Sequence, residues 1–161
     1  MGSGLDLIFT GKCGTRPGCK QRNWLMPRKG KRSRFSIEVG LIPEVYSRIT
    51  EQAFWWFVRE ENLESVESGK RHIVVNIQRY RDIKCHGQIQ EWDVEGSKTD
   101  YCIDLDYEQD LRDFVATIMH ELVHLQQYET GEWKGDGERE CERRQYELAD
   151  EFWKQGLTLN G

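Results

Sequence analysis

The sequence predicts an α+β domain with a small sheet, and three observations support this fold class. Short stretches that alternate apolar and polar residues predict strands, whereas apolar residues at three- and four-residue steps predict helices. In chain order, these patterns predict the elements β-α-β-β-α-α. The chain has 161 residues, which suits one domain with a single core.

The first half of the domain contains two predicted strands on either side of a long helix. Residues 34–40 (RFSIEVG) and 71–80 (RHIVVNIQRY) alternate in the manner of strands. Pro43 is expected near the start of the helix between them, because proline is favourable in the first helical turn. The apolar side of this helix is predicted to contain Val45, Ile49, Ala53, Trp56 and Phe57.

The second half contains a third predicted strand and two helices. Residues 84–98 predict a loop or loose hairpin, and residues 99–106 (TDYCIDLD) predict the strand. A strongly amphipathic helix is expected from about residue 110 to 128, with an end near Gly131. A Gly-rich turn then precedes a last helix, expected over residues 138–153.

Positive charge is concentrated at the start of the chain, although the whole chain has a net charge of −5. Residues 1–34 contain nine Lys and Arg side chains but only one acidic side chain, Asp6. We therefore predict a basic N-terminal arm, residues 1–33, and a domain of residues 34–161. Such an arm favours nucleic-acid contact or docking onto the carboxylates of the domain, and a solvated tail is the simpler alternative. The cations considered for nucleic-acid binding are Arg28, Lys29, Lys31 and Arg32.

Five cysteines, an odd number without C-x-x-C spacing, favour reduced thiols in a cytosol. Cys13 and Cys19 are close enough in sequence for a loop disulfide or a shared metal. No apolar run approaches the length of a membrane span, and the N-terminus lacks the pattern of a signal peptide. We therefore expect a cytoplasmic monomer without membrane contact, in the host cytoplasm if the protein is viral.

Residues 119–131 (MHELVHLQQYETG) contain the pattern H-E-x-x-H. On a helix, His120 and His124 lie about 40° apart around the axis and about 6 Å apart along it, so both imidazoles can bind one cation. Glu121 lies beside that cation, where it can take a proton from a water that zinc acidifies. The spacing predicts a Zn²⁺ site with two histidine ligands and Glu121 as the general base of a metallopeptidase. Two surface histidines with local hydrogen bonds are the alternative.

A catalytic zinc usually has three protein ligands and a water, so a third ligand is required. Gln127 and Thr130 occupy the positions where the extended H-E-x-x-H-x-x-G-x-x-H motif needs Gly and His. The acidic run of the last helix is the expected source, and its candidates are Glu138, Glu140 and Glu142. Glu138 and Glu142 are four residues apart and share one side of a helix, whereas Glu140 points elsewhere.

Residues 99–153 resemble the small phage-encoded zincin-like proteins often described as SprT-like metallopeptidases. The similarity covers the strand TDYCIDLD, the metal helix HELVHLQQYETGE, a Trp-x-Gly turn and the helix ERECERRQYELADEFW. In peptidases of the gluzincin type, the third ligand is a glutamate on a later helix, followed by a small residue. Glu140 and Cys141 match that pair, so the resemblance implies Glu140 as the third ligand.

The resemblance also implies a zincin-like fold and a zinc metalloendopeptidase that acts on proteins or peptides. In such a fold, a small mixed sheet packs on a long helix and on the metal helix, and a C-terminal helix carries the glutamate ligand. The third strand would be the edge strand, pairing with substrate near residues 101–103. Tyr146, Tyr128 and His86 are candidate donors to the oxyanion. The alternative function is a zincin-fold regulatory or nucleic-acid-associated binding protein with a non-catalytic zinc and the basic arm.

Overall fold

The computed structural model describes residues 33–41 and 43–155. This part of the chain has a mixed α+β architecture, which confirms the predicted class at that level. In chain order, the elements are β1 (Phe35–Val39), α1 (Glu44–Glu60), β2 (Arg71–Gln78), α2 (Tyr80–Ile83), β3 (Gly87–Glu91), β4 (Tyr101–Asp106), α3 (Leu111–Thr130) and α4 (Glu138–Gln155). A short 3₁₀ turn, Leu63–Ser65, follows α1. None of the helices in these residues is both long and apolar enough to cross a bilayer.

Nearly all of the predicted basic arm lies outside the described residues. The same is true of Cys13 and Cys19 and of the four cations considered for nucleic-acid binding, Arg28, Lys29, Lys31 and Arg32. The role predicted for the arm therefore stays a prediction. Arg34 belongs to the folded part, at the start of β1, where its guanidinium lies 4.0 Å from the ring centroid of Phe35.

The four strands form one mixed sheet in the order β1-β2-β4-β3. β1, β2 and β4 are parallel, whereas β3 is antiparallel to β4 and lies at the edge. Residues 84–98, predicted as a loop or loose hairpin, contain β3, which pairs antiparallel with β4; the loop alternative arose because Ile89 is the only large apolar side chain in this strand. The prediction of residues 101–106 as the edge strand is wrong. This strand is interior, and its backbone is paired on both sides, so a substrate strand cannot add to it.

Helices α1 and α3 cover one face of the sheet and enclose the core. The buried side chains there include Ile73, Val75, Ile103 and Leu105 from the sheet and Phe54, Phe57, Phe114, Ile118 and Leu122 from the helices. Val45 departs from the predicted apolar side of α1, since 42% of its surface is exposed. α4 packs on α3 and reaches α1, where the Trp56 indole N–H donates to Gln155 Oε1 at 3.2 Å. The fold thus places the two long C-terminal helices side by side.

A buried carboxylate, Glu129 of α3, ties the helix to three strands. Its oxygens accept hydrogen bonds from Arg34 Nη1 at 2.6 Å, Arg71 Nε at 2.8 Å and the Tyr101 hydroxyl at 2.7 Å, and from the Ser68 hydroxyl. Burial opposes the charge of this group, but the hydrogen bonds outweigh burial and lower the pKa of Glu129. The carboxylate is therefore ionised and paired in the folded protein at neutral pH.

Replacing Glu129 by Gln is expected to lower the free energy of unfolding by about 3 kcal/mol, because it leaves the partly buried guanidinium groups of Arg34 and Arg71 without their buried anion. Since the pKa is lowered on folding, the contribution is complete above the unfolded value of about 4.3 and is lost as the pH falls through the folded value. Urea unfolding at neutral and acidic pH measures both effects. Glu132→Gln, an exposed neighbour in the next turn, is the control and should match wild type. Equal stability of the two variants at neutral pH would contradict the assignment.

Candidate metal centre

The central part of α3 carries the three residues of the H-E-x-x-H pattern. The helix begins after Asp110, whose side chain accepts from the backbone N–H of Asp113 at 2.9 Å, and it ends at Gly131, whose φ is 69°. These ends confirm the predicted helix. His124 and Glu121 are buried in it, with 8% and 4% of their surfaces exposed. The motif therefore lies at a helix contact rather than on an open surface.

Glu138, the first residue of α4, places its carboxylate between the two imidazoles. Its Oε2 lies 3.1 Å from His120 Nε2, and its Oε1 lies 3.1 Å from His124 Nε2. Two ligand atoms of a tetrahedral zinc site are about 3.3 Å apart when each lies about 2.0–2.1 Å from the metal. Each imidazole Nε2 thus stands from a Glu138 oxygen at nearly the separation that a shared zinc ion requires, and the two histidines have ring nitrogens within 4.8 Å of each other.

The other nitrogen of each imidazole is occupied by a glutamine. His124 Nδ1 lies 2.9 Å from Gln127 Oε1, and His120 Nδ1 lies 3.1 Å from Gln145 Oε1. An amide oxygen can only accept, so these contacts suit the tautomer with its proton on Nδ1, in which the Nε2 lone pair is available to a cation. Histidine ligands of metals commonly donate their second N–H in this way, which orients the ring. The arrangement fits a metal site, as the chemistry of its donors and the orientation of its rings both suit zinc.

Glu140, which the gluzincin resemblance assigned as the third ligand, points to a different set of partners. Its Oε2 accepts from Gln127 Nε2 at 3.1 Å, and its Oε1 pairs with Arg144 Nη1 at 3.2 Å. Glu140 therefore holds the amide that contacts His124, whereas Glu138 is the carboxylate that contacts both imidazoles. Glu142, the remaining candidate, is exposed. Glu138 and Glu140 have different partners because residues two apart on a helix point about 200° away from each other.

The turn before α4 brings Glu138 up to α3. Gly137 has a φ of 83°, and a Cβ at this position would lie 2.3 Å from Gln127 Oε1. The positive φ favours glycine, and a larger residue would also displace the Gln127 amide. The backbone N–H of Glu138 donates to Asp136 Oδ1 at 3.1 Å, which completes the start of the helix.

Cys141 and Gln145 share the face of α4 that Glu138 presents to α3. Cys141 is fully buried, and its sulfur and one nitrogen of each imidazole all lie within 4.8 Å of one another. Burial first, and then the charges of Glu138 and Glu121, raise the pKa of the Cys141 thiol to about 12. Glu138, Cys141 and Gln145 follow each other at steps of three and four residues, which places them on one face of a helix. This spacing was the signal in the sequence that could have grouped them as neighbours of the two histidines.

Glu121 lies next to the ligands and faces the edge strand. Burial, and to a smaller extent the charge of Glu138, raise the pKa of its carboxyl to about 8. A cation held by the neighbouring imidazoles would favour the ionised form and oppose this shift. A Cβ at Gly87, the first residue of β3, would lie 2.8 Å from Glu121 Oε1 and 2.6 Å from Thr117 Cγ2. Glycine at this position lets β3 pass directly alongside the carboxylate.

A cleft of about 530 Å³ opens beside Glu121 and His120. Two of the three candidate oxyanion donors line it. His86 is exposed, with its Nδ1 3.0 Å from Asp106 Oδ2, whereas the Tyr146 hydroxyl donates to Asp113 Oδ1 at 2.9 Å. The third, Tyr128, is stacked on His124 with 6.4 Å between the ring centroids. His86 and Tyr146 are therefore the candidates that line the cleft.

The comparisons with known proteins add no family to this geometry. No protein-family model matches the chain, and neither a curated protein nor a solved structure matches it.

Proposed function

We propose that this protein is a zinc-dependent metallopeptidase in which His120, His124 and Glu138 bind zinc and Glu121 is the general base. The observation that carries the proposal is the convergence of two imidazole Nε2 atoms on one carboxylate, 3.1 Å from each, beside a second, buried carboxylate that lines a cleft. A zincin-like fold of the gluzincin type is part of the same proposal.

The donor set favours a catalytic zinc over a structural one. Structural sites generally have four protein ligands drawn from Cys and His, whereas catalytic sites have three and keep one position for water or substrate. Two histidines and one glutamate form the set found in catalytic zinc proteases. A structural ion would also have no use for a buried carboxylate such as Glu121 beside its ligands.

Glu121 lies where it can act on a water molecule in the cleft, which it lines together with His120. A bound zinc ion would polarise the peptide carbonyl and lower the pKa of a water molecule. The Glu121 carboxylate accepts the proton of that water and passes it to the amine that leaves. For Tyr146 to donate a hydrogen bond to the developing oxyanion, its hydroxyl must leave Asp113; for His86 to donate, the imidazole must carry a proton on Nε2, because Nδ1 faces Asp106.

The edge strand β3 is the expected binding surface for an extended peptide. Within the described residues β3 pairs with β4 alone, so the other edge of its backbone can form hydrogen bonds with a substrate strand. Its first residue, Gly87, lies against Glu121. A peptide added to this edge therefore passes the general base.

Metal removal tests the proposed function. The purified protein is expected to contain about one zinc per chain and to cleave some members of a mixture of synthetic peptides, detected by mass spectrometry. Chelation should abolish cleavage, and added Zn²⁺ should restore it. His124→Ala, purified in parallel, controls for a contaminating protease and should neither hold zinc nor cleave. Cleavage that survives in this variant or in the chelated protein would contradict the proposal. Bound zinc without any cleavage would favour the regulatory or binding alternative.

A further inference from the structure

We propose that the Cys141 thiolate is a fourth protein ligand of the zinc, so that the resting metal site is closed and opens when the sulfur exchanges for water. The inference rests on the proposed zinc site and adds regulation to it. It concerns a residue that the peptidase mechanism does not use.

The position of Cys141 on α4 makes this ligation possible. Cys141 and Glu138 are three residues apart and share one face of the helix. Half of the Glu138 side chain is exposed, whereas Cys141 is fully buried. The carboxylate and the thiol therefore reach the two imidazoles from the same helix but at different depths.

The distances require only a small movement. The Cys141 sulfur and one nitrogen of each of His120 and His124 all lie within 4.8 Å of one another. In a tetrahedral zinc site with Zn–S of about 2.3 Å and Zn–N of about 2.0–2.1 Å, sulfur and nitrogen are about 3.6 Å apart. A shift of up to about 1 Å therefore brings the sulfur to the separation from the imidazole nitrogens that a shared zinc ion requires.

The chemistry of the donors favours the same assignment. A thiolate is among the strongest zinc ligands in proteins, and the cysteine releases one proton to solvent when it binds. The set His120, His124, Glu138 and Cys141 fills four positions and leaves none for water. When the sulfur leaves, it takes up a proton again and the open site of the peptidase is formed.

Cobalt substitution tests the sulfur directly, without reference to activity. The full-length protein loaded with one equivalent of Co²⁺ is expected to show the near-ultraviolet charge-transfer absorption of a cobalt–thiolate bond. The band should disappear in Cys141→Ser and in Cys141→Ala, whereas Cys102→Ser, a half-buried cysteine on β4, should keep it. Thermal unfolding of each variant establishes that it is folded. In competition titrations, Zn²⁺ affinity should fall at least about tenfold in the Cys141 variants and stay unchanged in the control.

The outcomes separate this inference from the proposed function. Wild-type protein that binds one Co²⁺ without the band, or a band that survives in Cys141→Ser, would overturn the role of Cys141 and leave a site with three protein ligands. A failure to bind Co²⁺ or Zn²⁺ at all would overturn the metal site itself. If the closed site is the resting form, Cys141→Ser should also cleave peptides severalfold faster than wild type.

Discussion

Replacing Glu121 by Gln is expected to leave zinc bound and to reduce peptide hydrolysis by roughly 10²–10⁴-fold, the usual contribution of a general base. Glutamine has nearly the same shape as glutamate, and it can still fill the space beside Gly87 and Thr117. It cannot accept a proton from water at neutral pH. Because His120, His124 and Glu138 are untouched, metal content should equal that of wild type.

The measurement is kcat/KM on a peptide that the wild-type protein cleaves, together with zinc analysis of the same samples. Glu142→Gln is the matched control, since it removes a carboxylate from the exposed side of α4 and should change neither quantity. Cleavage by Glu121→Gln at the wild-type rate would exclude the proposed mechanism. Loss of zinc from this variant would instead assign Glu121 to the metal site.

Replacing Glu138 by Gln is expected to raise the dissociation constant of zinc by roughly 100-fold or more. The substitution removes the anionic ligand that lies 3.1 Å from both imidazole Nε2 atoms. Glu140→Gln is the paired variant on the same helix. Glu140 acts on the site only through Gln127, so its loss should weaken zinc binding by no more than about tenfold, the lower end for an outer hydrogen-bond partner.

Zinc titration against a chromophoric chelator measures both constants. Helical content and melting temperature should be followed in parallel, because Glu140 also pairs with Arg144. If Glu140→Gln loses zinc while Glu138→Gln retains it, the third ligand is Glu140, as the gluzincin resemblance implied. If both variants keep wild-type affinity, the third ligand is neither of them.

Periodicity within one helix was sufficient to predict the central part of the site. Four residues on a helix always bring two side chains to the same face, so His120 and His124 converge whatever packs against them. The ends of α3 were predictable for a similar reason, because Asp110 and Gly131 act on their own helix. These are local properties, and a single stretch of the chain contains everything that they require.

The choice of third ligand, the identity of the edge strand and the burial of Glu129 depended on the assembled fold. Which carboxylate of α4 meets the imidazoles depends on the rotation of this helix about its own axis, and that rotation is set by buried side chains along it, Cys141, Ala149 and Phe152. β3 is defined by its backbone pairing with β4, which lies ten residues further along the chain. The weak apolar pattern of GQIQE does not reveal this pairing.

Glu129 carries a charge, and a sequence pattern places charged side chains in solvent. Its partners Arg34, which precedes β1, Arg71 in β2 and Tyr101 in β4 come together only when the sheet and α3 have packed.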